Sequence, residues 1–389
     1  MKEKYRLLGD FIRQVDVRNT DGKEENLLGV SVQKLFIPSI ANTVGTDFTK
    51  YKVVKRGQFT YIPDTSRRGD KIGIALLTDY DEGLVSNIYT VFEVKDENEL
   101  LPEYLMLWFS RPEFDRYARF KSHGSVREIM DWDEMCKVEL PVPSIDKQRS
   151  IVKAYQAITE RIELKRRIND NLEATAQAVF QEQFASFYGA DELPDGYRII
   201  NLDNLCTVKG GKRLPADCKL LDTPTDHPYI RVRDVGSNRY VCLTNQFQYI
   251  DEETYSAISR YIVNTGDIVI SIVGTIGLLG KIHSSLDKAN LTENCVKLAN
   301  IHTVTSDYLY YTLCYKKQIK EIDLLTVGAV QAKLPMYNIQ SMKILVPPTK
   351  AIEAFQRKMN VLNEQIEANT VEIQKLYELE EVLLAKLSD

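Results

Sequence analysis

The sequence predicts an α+β protein with two globular domains and two long helices. Three observations carry that prediction. The chain repeats itself, each repeat closes on a long heptad-patterned run without proline or glycine, and the body of each repeat mixes short β-rich runs with helical ones. A length of 389 residues suits two or three domains at roughly 150 residues each. With 44% hydrophobic and 27% charged residues, the chain has enough apolar material for sizeable cores and is not a disordered polymer.

The repeat emerges when the sequence is shifted by 204 positions, which aligns residues 104–185 with 308–389 without a gap. Tyr104-Leu105 falls on Tyr308-Leu309, Gly124 on Gly328, Val142-Pro143 on Val346-Pro347, Ile162-Glu163 on Ile366-Glu367 and Leu172 on Leu376. Upstream, Tyr5-Arg6-Leu7 resembles Tyr197-Arg198-Ile199 at a shift of 192, so the first copy carries a net deletion. The expected layout is a first globular domain over residues 1–143, a helix over 144–188, a second domain over 189–346 and a second helix over 347–389. Such a tandem repeat predicts pseudo-twofold symmetry.

Within the bodies, Phe59 to Ile62, Ser86 to Val94, Tyr229 to Val235 and Ile268 to Val273 read as strands, and Leu101 to Phe120 and Thr305 to Ile322 as helices. In the first long helix, Ile151, Tyr155, Ile158, Ile162, Lys165, Asn169, Leu172, Ala176, Val179 and Gln183 alternate spacings of four and three, the seam of a coiled coil. Phe355, Met359, Leu362, Ile366, Asn369, Ile373, Leu376, Glu380, Leu383 and Leu387 repeat that spacing in the second. Ser144 and Thr349, after the prolines, are the expected N-caps. At about 1.5 Å per residue, helices of roughly 38 residues span about 57 Å. Matched lengths and matched polar breaks at Lys165 and Asn369 predict that the two pack on each other antiparallel.

Several functions are excluded or disfavoured. The longest nearly apolar run, Ile268 to Gly280, contains three glycines and falls short of the roughly 20 residues a membrane span needs. The N-terminus lacks the apolar stretch of a signal peptide, and six scattered cysteines without a C-x-x-C pair suggest free thiols in a reducing cytoplasm. Neither zinc nor any other metal is expected. The run from Gly274 to Lys281 imitates a phosphate-binding loop. Its first glycine stands one place too early, however, and Ile282 follows the lysine where Ser or Thr is required.

A globular domain, the junction Leu140-Pro141-Val142-Pro143, a long helix with Gln148 and then the whole arrangement again resemble the specificity subunit of type I restriction–modification enzymes. In the second copy, Val208-Lys209-Gly210-Gly211-Lys212-Arg213, Pro228 to Asp234 and Gly328-Ala329-Val330-Gln331 look like that family's recurring pieces. The second copy departs in having Ile352 where the first has Gln148, and the first lacks the Gly-Gly-Lys and Tyr-Ile-Arg elements. The resemblance implies two target recognition domains that read the halves of a split, asymmetric double-stranded DNA target. It implies helices that space the readers and dock methyltransferase subunits, two in number, with a restriction or translocase subunit as a further partner. It also implies that S-adenosylmethionine resides on the methyltransferase partners, and that this chain has no catalytic centre, no bound cofactor and no membrane. No Asn-Pro-Pro-aromatic or Asp-Pro-Pro-aromatic tetrapeptide of an amino-methylating enzyme occurs in the chain.

The net charge of -5 means that any DNA-binding face is a local patch. Basic residues among small and aromatic ones are the candidates, because Arg and Lys neutralise phosphates and Arg or Gln pairs with base edges. In the first copy they are Lys50, Lys52, Lys55, Arg56, Arg67, Arg68, Arg119, Lys121 and Arg127, with Ser125 and His123 at a glycine loop. In the second they are Lys209, Lys212, Arg213, Arg231, Arg233, Arg239 and Lys333, with Gln331 at the matching loop. If residues 229–235 form one strand, Arg231 and Arg233 share a face. Two competing readings are a metal-dependent nuclease using Asp64, Glu93 and Lys95, and a coiled-coil scaffold that does not touch DNA.

Overall fold

The protein is described by a computed structural model covering residues 5–22, 25–39, 45–65, 71–122, 128–236, 239–244, 247–328 and 332–388. The chain divides into two compact units: residues 1–164 with 375–389, and residues 165–374. Both divisions fall inside the long helices, so each unit contains a length of each helix.

Unit 1 is built on an antiparallel four-stranded sheet in the order Ile12–Val15, Thr90–Val94, Phe59–Tyr61, Ile74–Leu76. Phe59 and Phe92 stack on neighbouring strands with ring centroids 4.9 Å apart, under Phe109 of a covering helix. Helices α1 (Pro102–Phe109), α2 (Pro112–Lys121) and α3 (Trp132–Cys136) complete the body, and α4 (Ile145–Phe184) is the first long helix. Two sequence expectations change here. The helix expected from Leu101 to Phe120 is two helices, because Pro112 has no amide hydrogen to continue α1 and holds Arg111 extended at ψ 139°. The strand expected from Ser86 begins only at Thr90, since the Tyr89 amide turns back to the Ser86 carbonyl at 3.0 Å.

Unit 2 has a five-stranded sheet in the order Thr207–Gly210, Cys295–Ala299, Ile268–Ser271, Leu279–Ile282, Tyr240–Val241. A smaller sheet pairs Gln248–Tyr249, Pro228–Ile230 and Asn290–Leu291. Its helices are α5 (Glu252–Ile258), α6 (Ser306–Cys314), α7 (Lys316–Leu325) and α8 (Met336–Gln340), followed by the second long helix α9 (Thr349–Ala385). The single helix expected from Thr305 to Ile322 again breaks, at Tyr315, without a proline. There the extended backbone (ψ 136°) accompanies packing of the Tyr315 ring against Tyr188 and Phe180. Thr349 is the first residue of α9 rather than its cap.

The repeat is visible element by element. Pro102 and Ser306, Pro112 and Lys316, Trp132 and Met336, and Ile145 and Thr349 open α1/α6, α2/α7, α3/α8 and α4/α9 at the same offset of 204 residues. Tyr104 donates its hydroxyl to the Pro141 carbonyl at 3.1 Å, and Tyr308 does the same to Leu345 at 2.7 Å.

Each unit contains contacts between the long helices. In unit 1, Ile151, Val152 and Tyr155 of α4 join the same core as Leu384 of α9 and Leu387 just beyond it, and the Tyr155 hydroxyl bonds Glu380. In unit 2, Lys165 Nζ donates to Asn369 Oδ1 at 2.9 Å, and Asn369 Nδ2 donates to Asn169 Oδ1 at 2.8 Å. Lys165 also pairs with Glu372 at 2.8 Å. Asn369 is wholly buried, so this polar layer satisfies an amide that would otherwise be costly to bury. Among the expected seam residues, Ile158, Ile162, Phe355, Met359 and Ile366 are buried; Leu172, Val179, Leu362, Ile373, Leu376 and Leu383 are half-buried. Late in α4 the buried stripe runs Ala176, Phe180, Phe184 rather than through Val179 and Gln183. There the helix turns its apolar face toward Tyr308, Tyr311 and Phe355.

Candidate nucleic-acid interface

In unit 2 the strand Thr207–Gly210 ends against the segment joining Asn290–Leu291 to Cys295–Ala299. A Cβ at Gly211 would stand 2.1 Å from the Thr292 carbonyl oxygen, so only glycine fits this approach. Backbone bonds from Gly211 to Cys295 (3.0 Å) and from Lys212 to Leu291 (2.8 Å) lock the crossing, and the Tyr229 hydroxyl donates to the Lys212 carbonyl at 2.7 Å. The outcome is an open cleft of about 390 Å³ lined by Arg213, Arg231, Arg233, Tyr229, Glu293 and Asn294, among others.

Three of the arginines singled out from the sequence therefore meet at one place, but not as a strand face. The strand stops at Ile230, and Val232–Asp234 is a single 3-10 turn, because the Asp234 carboxylate accepts the Arg231 amide at 2.8 Å. Arg231 and Arg233 consequently leave the backbone differently. Arg231 is held by Asp234 and Gln248, and Gln248 donates to Asp222 at 2.6 Å. Its Nη2 is buried and has no hydrogen-bond partner among the described residues. Arg233 is 58% exposed, with Asp234 at 3.6 Å. Burial pushes the Asp234 carboxyl up to about 6 despite the pull of Arg233. Arg213 is 80% exposed and donates Nε to Glu293 at 2.6 Å. Burial alone would raise the Glu293 carboxyl, but hydrogen bonds from Arg213 and Thr292 hold it below its ordinary value.

The other unit 2 candidates are dispersed. Lys209 and Lys333 are exposed, and Lys212 is exposed with its ammonium 5.7 Å from the Tyr261 ring. Gln331 lies outside the described residues. Arg239 is an interior residue: its guanidinium bonds Asp307, Tyr311 (3.0 Å) and Asn363 (2.6 Å), with Glu173 at 3.8 Å. Lys281, the lysine of the loop that imitated a phosphate cradle, also pairs with Asp307, at 2.6 Å. Gln356 and Asn363 of α9 each donate to the other Asp307 oxygen at 2.7 Å. Burial alone would raise the Asp307 carboxyl, but Lys281 and Arg239 outweigh it and hold it at about 2.

In unit 1, Lys50 is exposed beside Asp47 (3.5 Å), and Lys121 is half-exposed, 5.9 Å from the rings of Tyr117 and Phe120. Lys52 is buried and donates to the Tyr89 carbonyl at 2.7 Å, which removes it from any surface. Lys55 is exposed, Arg56 pairs with Asp81 at 2.9 Å, and Arg119 lies 3.5 Å from Glu128. Arg67, Arg68, His123, Ser125 and Arg127 lie outside the described residues. The nuclease trio is not assembled for metal binding. Arg13 and Gln58 occupy the Glu93 carboxylate, and Lys95 donates to the carbonyls of Gly9 and Asp10. Among the described residues no group of His, Cys, Asp and Glu could hold a metal ion, and no helix is long and apolar enough to cross a membrane.

Sequence reasoning missed Glu293 and Asn294. The available signal was the polar triplet Thr292-Glu293-Asn294 set between the short runs Asn290-Leu291 and Cys295 to Ala299. The family model for the type I restriction modification DNA specificity domain matches twice, over residues 10–174 and 194–382. The HindI type I restriction enzyme specificity subunit of Haemophilus influenzae is 21% identical, over 98% of this chain and 97% of its own length. The MjaIX specificity subunit of Methanocaldococcus jannaschii is 22% identical, over 74% of this chain and 68% of its own. The crystal structure of a type I restriction–modification S subunit from M. genitalium aligns with a TM-score of 0.50 at 14% identity. It covers 99% of this chain and 95% of that one.

Proposed function

The chain belongs to the type I restriction–modification DNA specificity family, and from that premise we propose that it is the sequence-reading subunit of such a complex, each globular body reading one half of a split, asymmetric double-stranded DNA target. The observation that carries the reading at the level of residues is the cleft in unit 2, where Arg213, Arg231 and Arg233 converge and one buried arginine donor has no partner among the described residues. Guanidinium groups suit both phosphate oxygens and the acceptor edge of guanine. Arg213, Arg233, Lys209, Lys212 and Lys333 are the exposed contacts of the second body; in the first, the contacts are the exposed Lys50 and half-exposed Lys121, with Arg67, Arg68, Ser125 and Arg127, which lie outside the described residues.

In this reading residues 1–143 and 189–346 are target recognition domains, and residues 144–188 and 347–389 are spacer helices. The helices run antiparallel as a coiled coil and relate the two halves by a pseudo-twofold axis. The constant offset of 204 residues, the contact of Tyr155 early in α4 with Glu380 late in α9, and that of Lys165 with Asn369 in mid-helix support this. A stiff spacer sets the distance between half-sites, and tethering raises the effective concentration of the second contact once the first has formed. Two methyltransferase subunits dock on the chain and hold S-adenosylmethionine. This chain contributes recognition and no catalytic group, a restriction or translocase subunit completes the complex, and the assembly works in the cytoplasm.

The test is to express the chain with its methyltransferase partner in a host lacking modification and to map methylated bases across the genome. A bipartite motif with two different halves and a constant gap is expected. An uninterrupted or symmetric motif, or the same methylation without the chain, overturns the proposal.

A further inference from the structure

Arg213 and Glu293 form the outermost pair of the cleft, with Nε to Oε1 at 2.6 Å. The contact engages only the inner edge of the guanidinium. Both Nη groups of Arg213 have no protein partner among the described residues. The second oxygen of Glu293 accepts the Thr292 hydroxyl at 3.0 Å, which fixes the orientation of the carboxylate. The pair contributes little to the fold, because two backbone bonds hold the crossing of residues 211–212 over 291–295, the Tyr229 hydroxyl holds Lys212, and an exposed, solvent-screened ion pair adds little.

A carboxylate against a guanidinium opposes phosphate binding, since it sets a negative charge where the phosphate oxygens must come. It does suit a base edge that offers acceptors and a donor side by side. In the major groove, guanine presents the acceptors N7 and O6, cytosine presents the donor N4, and O6 and N4 lie about 3 Å apart across the pair. An intact Arg–Glu pair presents the complementary order, two free N–H groups beside a carboxylate oxygen. We infer that Arg213 and Glu293 act as one unit that reads a single G·C base pair in the half-site of the second body, Arg213 donating to guanine and Glu293 accepting from the cytosine amino group. The inference rests on the DNA-specificity reading above and adds which base pair class, and which acidic residue, that body uses.

The experiment uses the assembled methyltransferase complex on a randomised DNA library, scored by methylated sequence. Arg213→Ala and Glu293→Ala are each expected to relax the same single G·C position of one half-site, by about 5- to 150-fold in discrimination. The double variant should relax it no further, and the other half-site should stay unchanged. Glu293→Gln keeps the side-chain shape and serves if the alanine variant does not fold. Its neutral amide holds Arg213 less firmly and is a weaker acceptor for the cytosine amino group, so the same G·C position should relax, by less than with alanine. Relaxation at two different positions, or an equal loss of methylation on all sequences, overturns the assignment while leaving the chain a DNA reader. A wild-type complex without a bipartite motif overturns both readings together.

Discussion

The two units share a helical frame but anchor it differently. In unit 1, Gln148 near the start of α4 is wholly buried. Its amide accepts the Leu101 amide hydrogen at 2.9 Å and donates to the carbonyls of Glu99 (2.8 Å) and Pro143 (2.9 Å). The matching residue in unit 2 is Ile352, buried in the apolar cluster with Phe355 and Tyr308. Unit 1 keeps its buried ion pair, Lys34 with Asp115 at 2.5 Å, within its own body, where Asp115 also accepts the Ile72 amide. Unit 2 sends its buried charges into the frame: Asp307 binds Lys281 from the sheet, Arg239 just before the strand Tyr240–Val241, and Gln356 and Asn363 from α9. A repeated frame therefore does not require a repeated anchor. Each body solves the burial of polar groups locally, which leaves its outer surface free to differ.

The largest break in this comparison is Arg239→Ala. Removing one partner of a buried ion network costs about 3–5 kcal/mol, since Asp307 and Lys281 are left imperfectly balanced. Hydrogen exchange should speed up at Val269 and Leu298 in the unit 2 sheet while Phe59 and Phe92 in unit 1 keep their protection. Equal acceleration in both would mean that the network is not local to unit 2. A smaller effect is expected from Gln148→Ile, which gives unit 1 the residue of unit 2. It leaves the Leu101 amide without its acceptor and should cost about 1–3 kcal/mol, read by urea unfolding. A neutral result would show that the apolar anchor serves either body.

The smallest effect lies in acid. The Asp307 carboxyl, held at about 2 against an ordinary 3.8, contributes stability that is fully present above pH 3.8 and is lost as pH falls toward 2. Asp234 has the opposite sign: raised to about 6, it favours the fold most below pH 3.8, and that contribution fades as pH rises to 6. Asp307→Asn should flatten the first dependence and Asp234→Asn the second, measured as unfolding midpoints between pH 2 and 7.

The helices and their offset were legible in the sequence, because a period of 3.5 sustained over ten seam positions survives any detail of the bodies. Even the polar break was legible, since Lys165 and Asn369 share a hydrogen bond. What failed were short-range distinctions. Nothing in Tyr229-Ile230-Arg231-Val232-Arg233-Asp234 separates a six-residue strand from a short strand and a turn until Asp234 is seen to bond the Arg231 amide. Charge alone likewise could not separate the exposed Arg213 from the interior Arg239, because the partner that buries Arg239 lies 68 residues away, at Asp307. The Gly210-Gly211-Lys212 element, by contrast, was singled out by its resemblance to the family, and Gly211 is where two backbones meet beside the cleft.

The division of the long helices also sets an order of assembly. Unit 2 is one continuous stretch, residues 165–374, and needs no later residue to complete it. Unit 1 is interrupted: its core includes Leu384 and Leu387, more than two hundred residues after their neighbour Val152. Joining parts so distant in sequence is slow relative to local closure. The half of the protein made first is therefore finished last, and until the end of α9 arrives its apolar surface beside Val152 stays open to chaperones, proteases or another copy of the same helix.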